Sequence, residues 1–302
     1  MAGTVAETIR ELTRGHLEEG NGLLLGENIS AVGWVNGTVP DTRNIVELPM
    51  TDVAGAGFAV GAALVGRRPI FVIRFQDFLA LNGSPLINYA AKLKDLHGRS
   101  APILVRAIST EGLGPVHSGA LHGIFMHYPG FRVVCPMTPL EYRRIWAEFM
   151  AHDDPMIVSE HRESFANAEE LPDRTPPGAQ VALYAFSSPR FALDRAAALL
   201  AEQGITAACV HLVGLKPLEL GPRELEPLAA ARCGLVVDNS FEICGAARSI
   251  AYDLAMASGR PVGALGLQDR TKCLVEPYRN AAPGAEAIAA AACSMVTCGR
   301  PR

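Results

Sequence analysis

The sequence predicts an α/β protein of two doubly wound domains with parallel sheets, at residues 1–170 and 171–302. Three observations predict it. Apolar runs of a strand's length recur along the chain without polar alternation, and stretches with helical spacing separate them. One polar, Pro-rich segment, ANAEELPDRTPPGAQ (166–180), lacks either period and divides the series in two. Strands without alternation are strands covered on both faces, the arrangement that crossover helices give a parallel sheet.

Val5, Ile9, Leu12, His16 and Leu17 fall at helical spacing over 5–20, and LLLG (23–26) reads as the first strand. IVELP (45–49), PIFVIRF (69–75), PILVRAI (102–108), FRVVC (131–135) and PMIVS (155–159) read as further strands. Between them the pattern predicts helices at about 53–66, 80–97, 120–126 and 138–152. Beyond the linker the alternation restarts. VALYAF (181–186), TAACVHLV (206–213), CGLVVD (233–238) and PVGALGL (261–267) alternate with helices near 189–203, 222–231 and 244–257. That is a second, smaller α/β domain.

A net charge of −4 gives no electrostatic case for nucleic acid or an anionic membrane. No stretch approaches 18 uncharged apolar residues, and Glu7, Arg10 and Glu11 stand where a signal core would be apolar, so a soluble, cytoplasmic protein is expected. The seven cysteines are scattered and none forms a CxxC, which points to reduced thiols and to no metal site. GAGFAVG (55–61) falls short of a dinucleotide fingerprint. Its third Gly comes one position late, and Pro49, Met50, Thr51 and Asp52 separate it from the strand. It reads instead as a helix whose small residues let it pack closely on the sheet.

Residues 45–66 place an acidic residue after a strand and a Pro, at the head of a small-residue helix: ELPMTDVAGAGFAVGAALVG. In order and spacing RFQDF (74–78), INYAAKL (87–93), VHSG (116–119), HYPGFRVVCPMTP (127–139) and DDPMIVSEH (153–161) follow. This series resembles the beta subunits of the first component of 2-oxoacid dehydrogenases, of the pyruvate, branched-chain and acetoin type. Those subunits belong to the transketolase-like group, with a pyrimidine-binding domain followed by a transketolase C-terminal-like domain.

The resemblance implies thiamine diphosphate as cofactor, activated by a carboxylate hydrogen-bonded to its pyrimidine ring. The matching position is Asp52, where the family carries Glu, one methylene longer. Taken alone, Asp52 would also serve as a helix N-cap. Phe78 matches the aromatic that stacks on the pyrimidine, and read alone it is a core ring at a strand end. His117, in a Gly/Pro/Ser loop, matches the active-site His beside the reacting carbon. Glu27, closing LLLGE, matches a family Glu at the subunit junction, or else caps a turn or faces solvent.

The GDG motif, which with a downstream Asn carries Mg²⁺ and the diphosphate in this superfamily, does not occur in these 302 residues. The resemblance therefore implies an alpha subunit that carries GDG and most of the Mg²⁺ site, in an α₂β₂ heterotetramer. The expected reaction is decarboxylation of a 2-oxo acid followed by acyl or aldehyde transfer. The alternatives are the C-terminal half of a split transketolase, acting on a sugar or aldehyde, and a noncatalytic assembly or regulatory subunit. The second domain, whose DNSFE (238–242) matches a family loop near the dimer interface, reads as assembly surface.

Overall fold

The first helix begins where the sequence offers a reciprocal cap. The Thr4 hydroxyl accepts from the Glu7 amide at 3.2 Å, and the Glu7 carboxylate accepts from the Thr4 amide at 2.8 Å, satisfying two amides that a helix N-terminus leaves open. The helix, α1, runs Val5–Glu19 and buries Val5, Ile9, Thr13 and Leu17, one face at helical spacing. The computed structural model describes residues 3–29, 35–111, 116–271, 275 and 279–298. The chain divides into two units, Met1–Glu170 and Leu171–Arg302.

In the first unit the strands are β1 (Gly22–Glu27), β2 (Ile45–Leu48), β3 (Arg68–Ile73), β4 (Leu104–Ser109), β5 (Arg132–Val134) and β6 (Met156–His161). They lie in the order β2–β1–β3–β4–β6–β5, every neighbouring pair parallel. The helices after α1 are α2 (Val53–Leu64), α3 (Leu79–Pro85), α4 (Leu93–His97), α5 (His122–His127) and α6 (Pro139–Ala151). Right-handed crossovers fix their faces. The connections carrying α2, α3 and α5 run one way across the sheet and share a face. The connection through α6 runs back from β5 to β6 and takes the other, where it packs on α1. Both faces are thus covered, and β3, β4 and β6 are buried almost throughout.

The second unit holds β7 (Val181–Ala185), β8 (Ala207–His211), the short β9 (Gly214–Lys216), β10 (Cys233–Phe241) and β11 (Val262–Leu267). Its four-stranded parallel sheet has the order β11–β10–β7–β8. Val181, Leu183 and Ala185 of β7 join Leu193, Ala196 and Leu200 of α7 (Leu193–Ala201) and Ile288, Ala292 and Met295 of α10 (Ala285–Cys298) in one core. Tyr184, one residue out of step, donates at 2.6 Å to the Glu224 carbonyl in α8 (Pro222–Ala230). That side of the sheet is covered by α8 and α9 (Ala246–Ser258). The architecture is two doubly wound parallel sheets. Among the described residues no helix is long and apolar enough to cross a membrane.

Three differences from the sequence reading have local causes. The helix expected over 80–97 is interrupted: α3 ends at Pro85, a wide turn spans Leu86–Ala90, and α4 starts only at Leu93. Pro85 has no N–H to continue the ladder. The helix α10 was not anticipated, because its stretch is mostly Ala and shows little periodicity; Ala propensity and burial of Ile288, Ala292 and Met295 make it. The Pro-rich segment is also more than a tether. Arg174 pairs antiparallel with Cys209 through bonds of 2.7 and 2.9 Å, and Asp173 accepts from the His211 amide and from Arg223. Residues 112–115 of the GLGPVHSG loop, and Cys273, lie outside the described residues.

The turn before β5 depends on one glycine. Gly130 has φ 83°, and a β-carbon there would lie 1.9 Å from the Ala91 carbonyl oxygen. Gly130→Ala is expected to cost about 2–3 kcal/mol, from left-handed strain and overpacking together. Denaturant unfolding measures it, and an unchanged midpoint would refute the close approach.

Candidate active site

In an open parallel sheet, ligands collect beyond the carboxyl ends of the strands where the strand order reverses. In the first unit that place lies between β1 and β3, since β1 connects to β2 on one side and the chain then crosses back to β3 on the other. Glu27 is the last residue of β1. Its Oε1 accepts from the Thr51 amide at 2.8 Å and from the Asp52 amide at 2.7 Å. One carboxylate oxygen thus ties the bend between β2 and α2 to the end of β1, and Glu27 is neither a solvent residue nor a simple cap of its own turn.

Asp52 heads α2 with φ 41° and ψ −102°. A residue with a β-carbon pays on the order of 1–3 kcal/mol to hold such a conformation. Its side chain makes no bond to the first turn of α2, so the N-cap alternative is not realised. The carboxylate is half-buried and not used by the helix it precedes.

Beyond β3 the chain turns through Gln76–Phe78 into α3. Phe78, half-buried, lines a recess at the crevice together with Glu27, Ile73, Arg74 and Asn82. Asn82 is 4% exposed; its Nδ2 donates to the Phe78 carbonyl at 3.1 Å, and its Oδ1 is buried with no hydrogen-bond partner. An acceptor left open at a recess calls for a donor, because a buried unpaired amide oxygen costs roughly 1–3 kcal/mol.

His117 stands on the far side of Phe78, ring centroids 5.4 Å apart, and stacks on Phe75 at 4.4 Å with 17° between the planes. Its Nδ1 lies 3.1 Å from Oδ2 of Asp77. The loop is held from below by Gln76, a fully buried side chain that donates to the Ala107 carbonyl and the Ser159 hydroxyl and accepts from the Leu121 amide. Ser159 also meets Nδ1 of the buried His122 at 3.1 Å. The guanidinium groups of Arg162 and Arg74 lie over the Phe75 ring at 5.1 and 5.7 Å. Burial, and then the charge of Arg74, lower the Arg162 pKa from its ordinary value.

The four residues singled out from the sequence therefore form one linked series along a single sheet edge. Asp52 joins Glu27 through its amide, Glu27 and Phe78 share the recess, and Phe78 meets His117 ring to ring. Sequence reading passed over Phe75, Gln76, Asp77 and Asn82. The available signal was RFQDF itself, a Gln-Asp pair between two aromatics at the end of a buried strand. Among the described residues no cluster of His, Cys, Asp and Glu is arranged to hold a metal ion.

Residues 14–167 match the family model of the transketolase pyrimidine-binding domain. The chain belongs to that family. The pyrimidine-binding match contains all four residues and ends before the second unit begins. The beta subunit of the acetoin:2,6-dichlorophenolindophenol oxidoreductase of Cupriavidus necator is 30% identical over 226 residues, 70% of this chain and 67% of that one. The 2-oxoisovalerate dehydrogenase subunit beta of Bacillus subtilis is 30% identical over 212 residues, 65% of this chain and 64% of its own. Each alignment thus takes in about two thirds of the relative. A solved split-gene transketolase, described as an inactive beta4 tetramer, superposes with a TM-score of 0.77 over 99% of this chain and 100% of its own at 17% identity, a likeness of fold.

Proposed function

We propose that this chain is the beta subunit of a two-component, thiamine-diphosphate-dependent enzyme acting on a 2-oxo acid, and that it supplies the pyrimidine side of the cofactor site. The observation carrying this reading is the series Asp52–Glu27–Phe78–His117 at the switch point of a transketolase pyrimidine-binding domain. The crevice has what an aminopyrimidine would ask of it: a flat aromatic wall, a carboxylate with no other bond at the helix start, and an open buried acceptor on Asn82. When bound, the cofactor would supply a carbanion that attacks the 2-oxo carbon and then holds the electrons released on decarboxylation.

The geometry supports the following roles for the chain's own residues. Phe78 offers the pyrimidine its apolar face. Asp52 accepts from the pyrimidine ring nitrogen, and the Glu27 bond to its amide fixes the backbone from which it reaches. The missing methylene is then a matter of where Glu27 holds that backbone. His117, on the reacting side, holds or moves a proton near the substrate oxygens. Mg²⁺ and the diphosphate fall to an alpha partner carrying GDG, in a cytoplasmic α₂β₂ assembly. The face that α2 turns outward fits such an assembly: Phe58 is 55% exposed, and the helix carries no charged side chain.

Co-expression with a GDG-bearing partner tests the reading. The complex should bind thiamine diphosphate by calorimetry and turn over a 2-oxo acid. Phe78→Ala should weaken cofactor binding by up to about tenfold, the worth of one aromatic stack. His117→Ala should leave that affinity in place and lower turnover by roughly 100-fold or more. If the complex binds no cofactor, or both variants match the wild type, the proposal fails.

A further inference from the structure

We infer that Asp77 is a positioning residue: it fixes His117 in the Nδ1–H tautomer and so makes Nε2 the basic atom that the imidazole presents for proton transfer. The inference deepens the reading of His117 given above and rests on it for its place in the reaction.

The chemistry starts from what each atom can do. A carboxylate has lone pairs and no proton, so it can only accept. Oδ2 of Asp77 and Nδ1 of His117 are 3.1 Å apart, and the bond between them therefore requires the proton on Nδ1. In the neutral ring the lone pair is then on Nε2. A free imidazole in water favours the opposite tautomer, so the local partner decides which nitrogen is basic.

Three further contacts keep the pair in register. The His117 ring lies nearly parallel to Phe75, with 17° between planes at 4.4 Å, which restrains tilting out of the plane of the bond. Phe78 limits the ring from a second side at 5.4 Å. Gln76, next to Asp77, accepts from the Leu121 amide and so anchors the return of the His117 loop to the turn that carries Asp77. Phe75, Gln76, Asp77 and Phe78 are consecutive, so one short turn supplies the stack, the loop anchor, the tautomer-setting carboxylate and the ring that lines the recess.

Asp77 touches His117 and not the recess, whose walls include Arg74 and Phe78 on either side of it in sequence. Its effect on turnover therefore has to pass through the imidazole. A carboxylate holding a catalytic His in one tautomer can contribute about 10⁴-fold where the pair is buried. Here the His117 and Asp77 side chains are 35% and 34% exposed, which reduces the expected loss to roughly 10- to 100-fold in kcat, with little change in KM.

The test reads the tautomer directly. Long-range ¹H–¹⁵N spectra of the labelled full chain, above the pH at which the ring takes its second proton, distinguish the protonated from the unprotonated nitrogen. His117→Gln assigns the signal. In the wild type Nδ1 should carry the proton. In Asp77→Ala and the near-isosteric Asp77→Asn the Nε2–H form should dominate, and Asp77→Glu should recover part of the wild-type pattern. With the partner present, kcat should fall in the same order while cofactor affinity stays constant. An unchanged tautomer in Asp77→Ala overturns the inference, and so does a changed tautomer with unchanged kcat. Absence of cofactor binding by the wild-type complex, with the tautomer still following Asp77, would sink the proposed function instead and leave the Asp77–His117 coupling standing.

Discussion

Asp52→Gly should leave the chain at least as stable as the wild type while turnover with the partner subunit falls about 100-fold or more. The two effects separate because they come from different parts of one residue. The backbone of Asp52 is held at φ 41°, a conformation that Gly adopts freely; relief of roughly 1–3 kcal/mol of strain outweighs the 0.4–1 kcal/mol that Gly adds to the entropy of the unfolded chain. The side chain makes no bond to α2, so its removal does not uncap the helix. Were Asp52 a working N-cap, its loss would cost the helix a bond. The loss of turnover comes from removing the carboxylate that the proposed site needs beside the pyrimidine, where small misplacements already cost about 100-fold. Asp52→Asn should lose as much turnover without the gain in stability. Thermal unfolding and steady-state rates on the same preparations check both halves. A noncatalytic subunit would show the stability gain and no change in rate, and that result would overturn the catalytic reading.

Arg106→Leu should destabilise the first unit by about 3–5 kcal/mol, a large share of what holds any single domain together. Arg106 on β4 and Glu160 on β6 are both fully buried and joined by two bonds, Nε to Oε1 at 2.7 Å and Nη2 to Oε2 at 2.9 Å. Nη2 also donates to the Thr38 hydroxyl at 2.9 Å. Nearby, burial first and then the Glu160 charge raise the Tyr142 hydroxyl well above its usual range. Removing the guanidinium leaves Glu160 charged and buried with no cation. The double change Arg106→Leu with Glu160→Leu should recover most of the loss, because an apolar pair needs no such compensation. Urea unfolding of the two single variants and the double variant closes the cycle. Equal losses in all three would mean that packing, and not the uncompensated charge, sets the cost. Because β4 leads into the His117 loop and β6 carries Ser159, which Gln76 grips, the pair lies on the two strands that support the site.

Much of the architecture was legible in one dimension because its signal is local. Unalternated runs such as PIFVIRF and PILVRAI read as strands with two covered faces, and they became β3 and β4 in the centre of the sheet. Ordered blocks led to the family through residues 14–167. What was missed reflects terms that a periodicity does not contain. Pro85 splits a helix whose apolar spacing runs on past it, and α10 forms from Ala-rich sequence because neighbouring elements bury it.

By itself the sequence determined the fold class, the family, and the positions Glu27, Asp52, Phe78 and His117 as candidates. Only the tertiary structure decided what each does with its atoms. Local sequence allowed Asp52 to be a cap and Glu27 a solvent residue. The fold instead turns the Glu27 carboxylate onto the Asp52 amide and leaves the Asp52 side chain out of the helix. It also brings Asp77 to His117 across a separation of 40 residues. The physical reason is that residue type and spacing encode burial and backbone period, whereas the partner of a hydrogen bond is set by which strand ends a parallel sheet places side by side.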